Sequence, residues 1–279
     1  MELEPTISLE LRTYPMNEID FLYGHDSVVI TFFLFVAIMA FNELGFRLGR
    51  FVQMRTDAEV KSLTGSIQAS ILGLLALLLG FTFSMSMQRY DGRSLALIAE
   101  ANAIGTTTLR VQLLPESYRS TVQELLREYV DQRIAIGKVD LTRSAERLKY
   151  NRQIAALQDR LWALAVEAAL EDPRPVTTGA FITSLNEMID CQGKRNALLQ
   201  MHVPQVVLLL LFGVFIASGG MLGYSSGLGG RRVIAPTVMV SFLIAMIVFI
   251  IIDLDRPKRG LIQVDQGSML ELRQPDGTP

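Results

Sequence analysis

Four apolar runs constrain this chain more than any other feature: residues 27–48, 66–88, 203–224 and 233–252. Each is long enough to cross a hydrocarbon layer as a helix, which takes about 20 residues. The fourth, VIAPTVMVSFLIAMIVFIII, is the least ambiguous. Its Pro236 falls in the first turn, where a missing N–H costs little, and Pro204 takes the same place in the third run. Composition agrees, because half of the 279 residues are hydrophobic and only 19% are charged. Net charge is −2, with lysines and arginines scattered among acids, so no broad basic surface is available for nucleic acid. Cys191 is the single cysteine, which excludes an intrachain disulfide and a thiolate metal cluster within one chain. The first 26 residues hold Arg12 as their only base, so a cationic leader is missing and the first span is expected to be retained.

Between the second and third runs the character changes to polar and helical. Val122, Leu125, Leu126, Tyr129 and Val130 share one helix face after Pro115 and before Gly137. Ile154, Leu157, Leu161, Leu164 and Ala168 repeat at helical spacing until EDPRP stops them. A third helix is predicted over about 177–200, with Ile182, Leu185, Met188 and Ile189 inward. Apolar residues at 95, 98, 104, 109 and 113 suggest that the second span continues out of the membrane. The fold class is therefore all-α: a four-span transmembrane protein with a helical bundle inserted between spans two and three. The expected divisions are an N-terminal segment 1–26, spans one and two over 27–93, the bundle 94–202, spans three and four over 203–252, and a tail 253–279.

The second span is unusual in its polar content. Ser66, Ser70, Gly73, Leu77, Gly80, Ser84 and Gln88 fall on one helical stripe. Small residues allow close packing of helices in a membrane. The other reading is a narrow wettable pathway in an oligomer, with Leu77 and Phe81 as a constriction that gates by dewetting and Ser84 and Gln88 lining it. Arg89 and Arg93, one turn apart, then point into a vestibule where the span leaves the bilayer, with Asp91 and Gln88 orienting them. Interfacial snorkelling is the plainer account of either arginine.

Other constellations are sparser. Glu43 and Arg47 are spaced for an i,i+4 ion pair at the end of the first span. Gly213, Ala217 and Gly220, with Gly219 and Gly223 beside them, make a packing face in the third span, and GYSSGLGGRR reads as a flexible turn. Asp253 and Asp255 offer carboxylates to a cation, although Ca²⁺ takes six to eight oxygens. Arg256, Lys258 and Arg259 follow them and suit lipid phosphates. His25 and His202 each stand at a membrane boundary, with no metal-ligand or nucleophile motif around them, so enzymatic activity and a cofactor are not expected. Bases on the two sides nearly cancel, which leaves the orientation of the bundle open.

The run LLGFTFSMSMQRYDGRSLALIAEANAIGTTTLRVQLLPESYRSTVQELLREYVDQR, with ELGFRLGR before it and DLDRPKRGLIQV near the end, resembles the bacterial bestrophin-like domain family. The resemblance spans about 28–272. At greater distance the chain is similar to bestrophins proper, pentameric ion channels with four spans per subunit and a cytosolic bundle between the second and third. Their second span carries a similar Leu-Gly-Phe ahead of an Arg-aromatic pair, matched here by Leu79-Gly80-Phe81 and Arg89-Tyr90. On that match the hydrophobic neck falls on Gly73, Leu77 and Phe81, with Gly73 departing from the bulky pattern. Calcium activation in animal bestrophins uses an acidic run, of which only Asp253 and Asp255 have counterparts here. The resemblance implies a homo-oligomer, a pentamer, in a bacterial inner membrane, with lipids and inorganic ions as partners and passive ion conduction, with chloride as the candidate ion, as its activity. The alternative is a non-conducting scaffold or sensor whose bundle binds a partner or ligand.

Overall fold

In a computed structural model the described residues are 25–139, 144–257 and 260–273. They form eight helices, joined by short turns and two 3₁₀ segments, and no strand occurs among them. The first two helices are α1 (Ser27–Val52) and α2 (Ala58–Arg110). The next three are α3 (Glu116–Gly137), α4 (Ser144–Glu171) and α5 (Thr178–Gln200). Then come α6 (Gln205–Leu228), α7 (Ile234–Asp255) and the short α8 (Gly267–Glu271). Four helices are long and apolar enough to cross a membrane.

The axis of the molecule is α2. Its 53 unbroken residues span about 80 Å at 1.5 Å per residue, so one helix serves both the apolar layer and the bundle. The continuation expected from the apolar residues at 95, 98, 104, 109 and 113 is real, and of these Ile104 is buried. Leu95, Ile98, Leu109 and Leu113 are exposed, and the residues turned inward are Ala96, Leu97, Glu100, Ala101, Ala103, Ile104 and Thr107. Small side chains let α5 approach closely here, and Thr107 Oγ1 donates to the Ser184 carbonyl at 3.0 Å.

The bundle core follows the predicted faces of α3, α4 and α5. Val122, Leu125, Leu126, Tyr129 and Val130 are buried against Ile154, Leu157, Leu161 and Ala168, with Phe181, Leu185 and Met188 closing the cluster. Leu164, Ile182 and Ile189 pack at its edge. Met269 of α8 inserts its side chain into the same core, so the segment after α7 returns to the bundle.

In the apolar layer α1 packs most extensively on α6. The contact is backbone on backbone: a Cβ at Gly223 would run into the Asn42 carbonyl, and one at Gly45 into the Gly220 carbonyl. Asn42 Nδ2 donates to the Gly219 carbonyl at 3.0 Å across this seam. Two sequence expectations change. The packing face keeps Gly220 with Gly219 and Gly223 and extends to Gly227, while Gly213 meets nothing and Ala217 is exposed. The stretch read as a flexible turn is mostly helix, because α6 extends to Leu228 and needs those glycines for its approach to α1.

Candidate functional site

The polar residues of the second span divide between two faces of α2. Thr82 and Ser86 are buried, whereas Ser84 and Gln88 are exposed. Thr82 Oγ1 donates to the Leu78 carbonyl one turn back at 2.8 Å, which satisfies a hydroxyl inside an apolar layer. Leu75, Leu78 and Leu79 share that inner side and pack with Leu34, Ile38, Leu211, Phe215, Val248 and Ile252.

The opposite stripe has no covering among the described residues. Ser66, Ser70, Gly73, Leu77, Gly80, Ser84 and Gln88 are all exposed, and a Cβ placed at Gly73 or Gly80 would meet nothing within 4 Å. Leu77 is 54% exposed and Phe81 61% exposed. The small residues of this stripe are therefore not contacts to the other described helices. Ser70 Oγ donates to the Ser66 carbonyl at 3.1 Å. Gln88 Nε2 donates to Ser84 Oγ at 3.2 Å, so the lower polar pair is self-satisfied on the exposed side.

Arg89 and Arg93 do not share a vestibule. Arg89 is partly exposed, but Arg93 is 2% exposed and turned into the protein. Its Nε donates to the Leu198 carbonyl at 3.2 Å and its Nη1 to the Leu254 carbonyl at 3.1 Å. Its Nη2 donates to Met201 at 2.6 Å and Asp255 at 3.2 Å. The last carbonyls of a helix lack intrahelical partners and carry the negative end of its dipole. Arg93 gathers those of α5 and α7 onto the middle of α2. The one-turn spacing placed it beside Arg89, but the C-termini of two distant helices decided where its side chain goes.

Asp253 and Asp255 are likewise used by the fold. Asp253 Oδ2 accepts from the Ile262 N–H at 2.8 Å. Asp255 Oδ2 accepts from the Val203 N–H at 2.9 Å, and Asp255 Oδ1 lies 3.9 Å from Arg93 Nη2. Among the described residues no group of three or more His, Cys, Asp and Glu is placed to hold a metal ion. Arg256 is buried rather than part of an interfacial basic cluster, and Lys258 and Arg259 lie outside the described residues. The Glu43–Arg47 ion pair forms at 2.8 Å, and Arg232 joins it from the turn before α7 at 3.1 Å.

A further ionic group was missed in the sequence. Glu100 on α2 is fully buried between Arg133 of α3 and Arg195 of α5. Arg133 holds both carboxylate oxygens, the second at 2.9 Å, and Arg195 Nη1 donates to Oε2 at 2.8 Å. Arg195 Nη2 reaches Gln266 Oε1 at 3.1 Å, tying in the segment that precedes α8. Burial works against the Arg133 charge, but the Glu100 carboxylate outweighs it and holds Arg133 above its ordinary pKa. Burial prevails at Arg195, which is held below its ordinary value. The available signal was Glu100 itself, a lone acid in ALIAEANAIG on the same face as the buried alanines.

Comparison with known proteins places this architecture. The family model described as Bestrophin-like domain matches residues 34–269. No curated protein matches the chain. A crystal structure of a bacterial bestrophin homologue from Klebsiella pneumoniae, in a tryptophan-to-alanine mutant, superposes with a TM-score of 0.60 at 17% identity, covering 89% of this chain and 95% of that one. An isoleucine-to-threonine mutant of a homologue from the same organism gives a TM-score of 0.57 at 16% identity, covering 85% and 98%. At these identities the likeness is one of fold.

Proposed function

The chain belongs to the bestrophin-like family, and from that membership we propose that it conducts ions passively through a central pathway of a homo-oligomer in a bacterial inner membrane. One observation carries the reading: α2 packs Leu75, Thr82 and Ser86 against its own chain and leaves the stripe from Gly73 to Gln88 uncovered. Further copies of the chain, five on the pattern of bestrophins, would turn these stripes toward a shared axis. Leu77 and Phe81 then form rings of apolar side chains, narrow enough to stay dry until they separate. Ser84 and Gln88 offer polar atoms below them, and Arg89 stands at the mouth. Gly73 adds no side chain, so the constriction is two residues deep. Arg93 has no part in the pathway and instead braces α2 against α5 and α7.

The test pairs the mass of the purified complex in nanodiscs with flux of Cl⁻ and K⁺ from liposomes. A closed oligomer that passes either ion supports the proposal, and Phe81→Ala should then raise the rate. A monomer or dimer with tight liposomes sinks it and favours a scaffold whose bundle binds a partner.

A further inference from the structure

The ionic group inside the bundle carries more positive than negative charge. Among the described residues Glu100 is the one carboxylate that acts on both Arg133 and Arg195, and Arg195 meets a neutral amide, Gln266, on its other side. Arg133 is 1% exposed, and only two of its three nitrogens are engaged by Glu100. Its Nη1 is buried without a partner, and the Tyr129 hydroxyl one turn earlier on α3 and Gln158 Nε2 on α4 are buried with no partner beyond each other. These three groups are neighbours: Tyr129 lies in the field of Arg133 and beside the Gln158 side chain. All three offer a proton, and Leu126, Val130, Leu157 and Leu161 belong to the same apolar core as Tyr129.

An unpaired donor in such a place costs its full desolvation, and an unbalanced buried charge costs more. A neutral water answers the first cost and leaves the second. A monovalent anion answers both. We propose that Arg133 Nη1, the Tyr129 hydroxyl and Gln158 Nε2 hold a single halide-sized anion inside the helical bundle, neutralising the pair of arginines that share Glu100. On the other side of the ionic group, Arg195 and Gln266 line a cavity of about 260 Å³ together with Lys138 and Gln263. The site belongs to the bundle of each subunit and does not depend on conduction by the membrane helices.

The experiment uses the full-length protein in detergent, with bromide as the probe. Thermal unfolding is followed in sodium bromide and in sodium gluconate at equal ionic strength, and anomalous scattering is recorded from bromide-soaked crystals. The expected result is a midpoint about 3–5 °C higher in bromide, with an anomalous peak between Arg133 and Tyr129. Tyr129→Phe keeps the ring and removes the donor, so it should erase most of the bromide shift. Gln158→Leu, which leaves both arginines paired with Glu100, should reduce it as well. Equal midpoints in the two salts would overturn the proposal, as would a bromide shift that both variants retain, because that halide binds elsewhere. A peak at the site with no Tyr129-dependent shift is an adventitious ion and also overturns it.

Discussion

Arg93 Nη2 donates to the carbonyl of Met201 at 2.6 Å, across 108 positions of sequence. That bond, with three more to Leu198, Leu254 and Asp255, joins the long helix to both chain segments that enter or leave the apolar layer beside it. A guanidinium presents several donors in a fixed planar fork, whereas an ammonium presents one point of charge. Arg93→Ala should therefore destabilise the protein by about 3–5 kcal/mol, and Arg93→Lys should recover less than half of the loss. Thermal unfolding in detergent measures both, with hydrogen exchange at 198–203 and 254–256 reporting the freed carbonyl regions. An unchanged midpoint in Arg93→Ala would refute the bracing role.

The α1–α6 seam makes a second prediction. Gly223 sits against the Asn42 carbonyl with no space for a methyl group. Gly223→Ala should cost about 1–3 kcal/mol, as overpacking of a tight interior does, while Gly213→Ala should be close to neutral because nothing lies near it. Comparing the two unfolding midpoints tests whether the seam is where the structure puts it.

Exposure on α2 can be read chemically. With Cys191 replaced by serine, cysteines at Leu77, Ser84 and Thr82 should differ in reactivity toward a water-soluble thiol reagent. Ser84→Cys is expected to modify readily and to change ion flux. Leu77→Cys should react only when the constriction is wet, and Thr82→Cys, on the packed face, should stay protected. Equal protection of Ser84→Cys and Thr82→Cys would place the stripe in a dry interface between copies.

Removing Glu100 leaves two buried guanidiniums facing each other. Glu100→Gln should cost about 3–5 kcal/mol, the range for breaking a buried pair from one side. The double variant Glu100→Gln with Arg133→Met should be less damaging than the sum of its parts, because it also removes one stranded charge. Chemical denaturation of the four species forms the cycle that checks this.

Alkaline pH supplies a further test. Burial raises the Tyr129 phenol above its ordinary pKa of 10.0, and the Glu100 charge adds to that rise while Arg133 and Arg195 oppose it. The folded state then holds a proton that the unfolded chain releases above about pH 10. The contribution of Tyr129 is complete below that pH and is lost as pH climbs toward its folded pKa. Tyr129→Phe should therefore flatten the fall in stability above about pH 10, measured as unfolding midpoint against pH and compared with the parent protein.

Much of the architecture was legible because it rests on local rules. Hydrocarbon runs of membrane length declare helices without reference to anything else in the chain. The faces of α3 and α4 appeared in the period of Val122 to Val130 and of Ile154 to Ala168, since one side of each helix is a continuous apolar stripe. On α2 beyond the membrane the apolar residues showed that the helix continues but marked no face, and the buried side proved to be Ile104 with Ala96, Ala103 and Thr107. Close helix packing selects small residues, and period analysis weighted by hydrophobicity passes over them.

The sequence by itself determined that this chain makes four apolar helices and a bundle, and that one helix carries a polar stripe, because helical period and hydropathy are properties of consecutive residues. Only the tertiary structure decided that the stripe from Gly73 to Gln88 is left uncovered while Thr82 and Ser86 turn inward. It alone separated Arg93 from Arg89 and gave Asp253 and Asp255 to backbone N–H groups. It also brought Arg133 and Arg195 onto Glu100 from positions 33 and 95 residues away. Each of these outcomes depends on which buried polar groups need a partner, and the partners are carbonyls, amides and charges that meet only when distant helices pack.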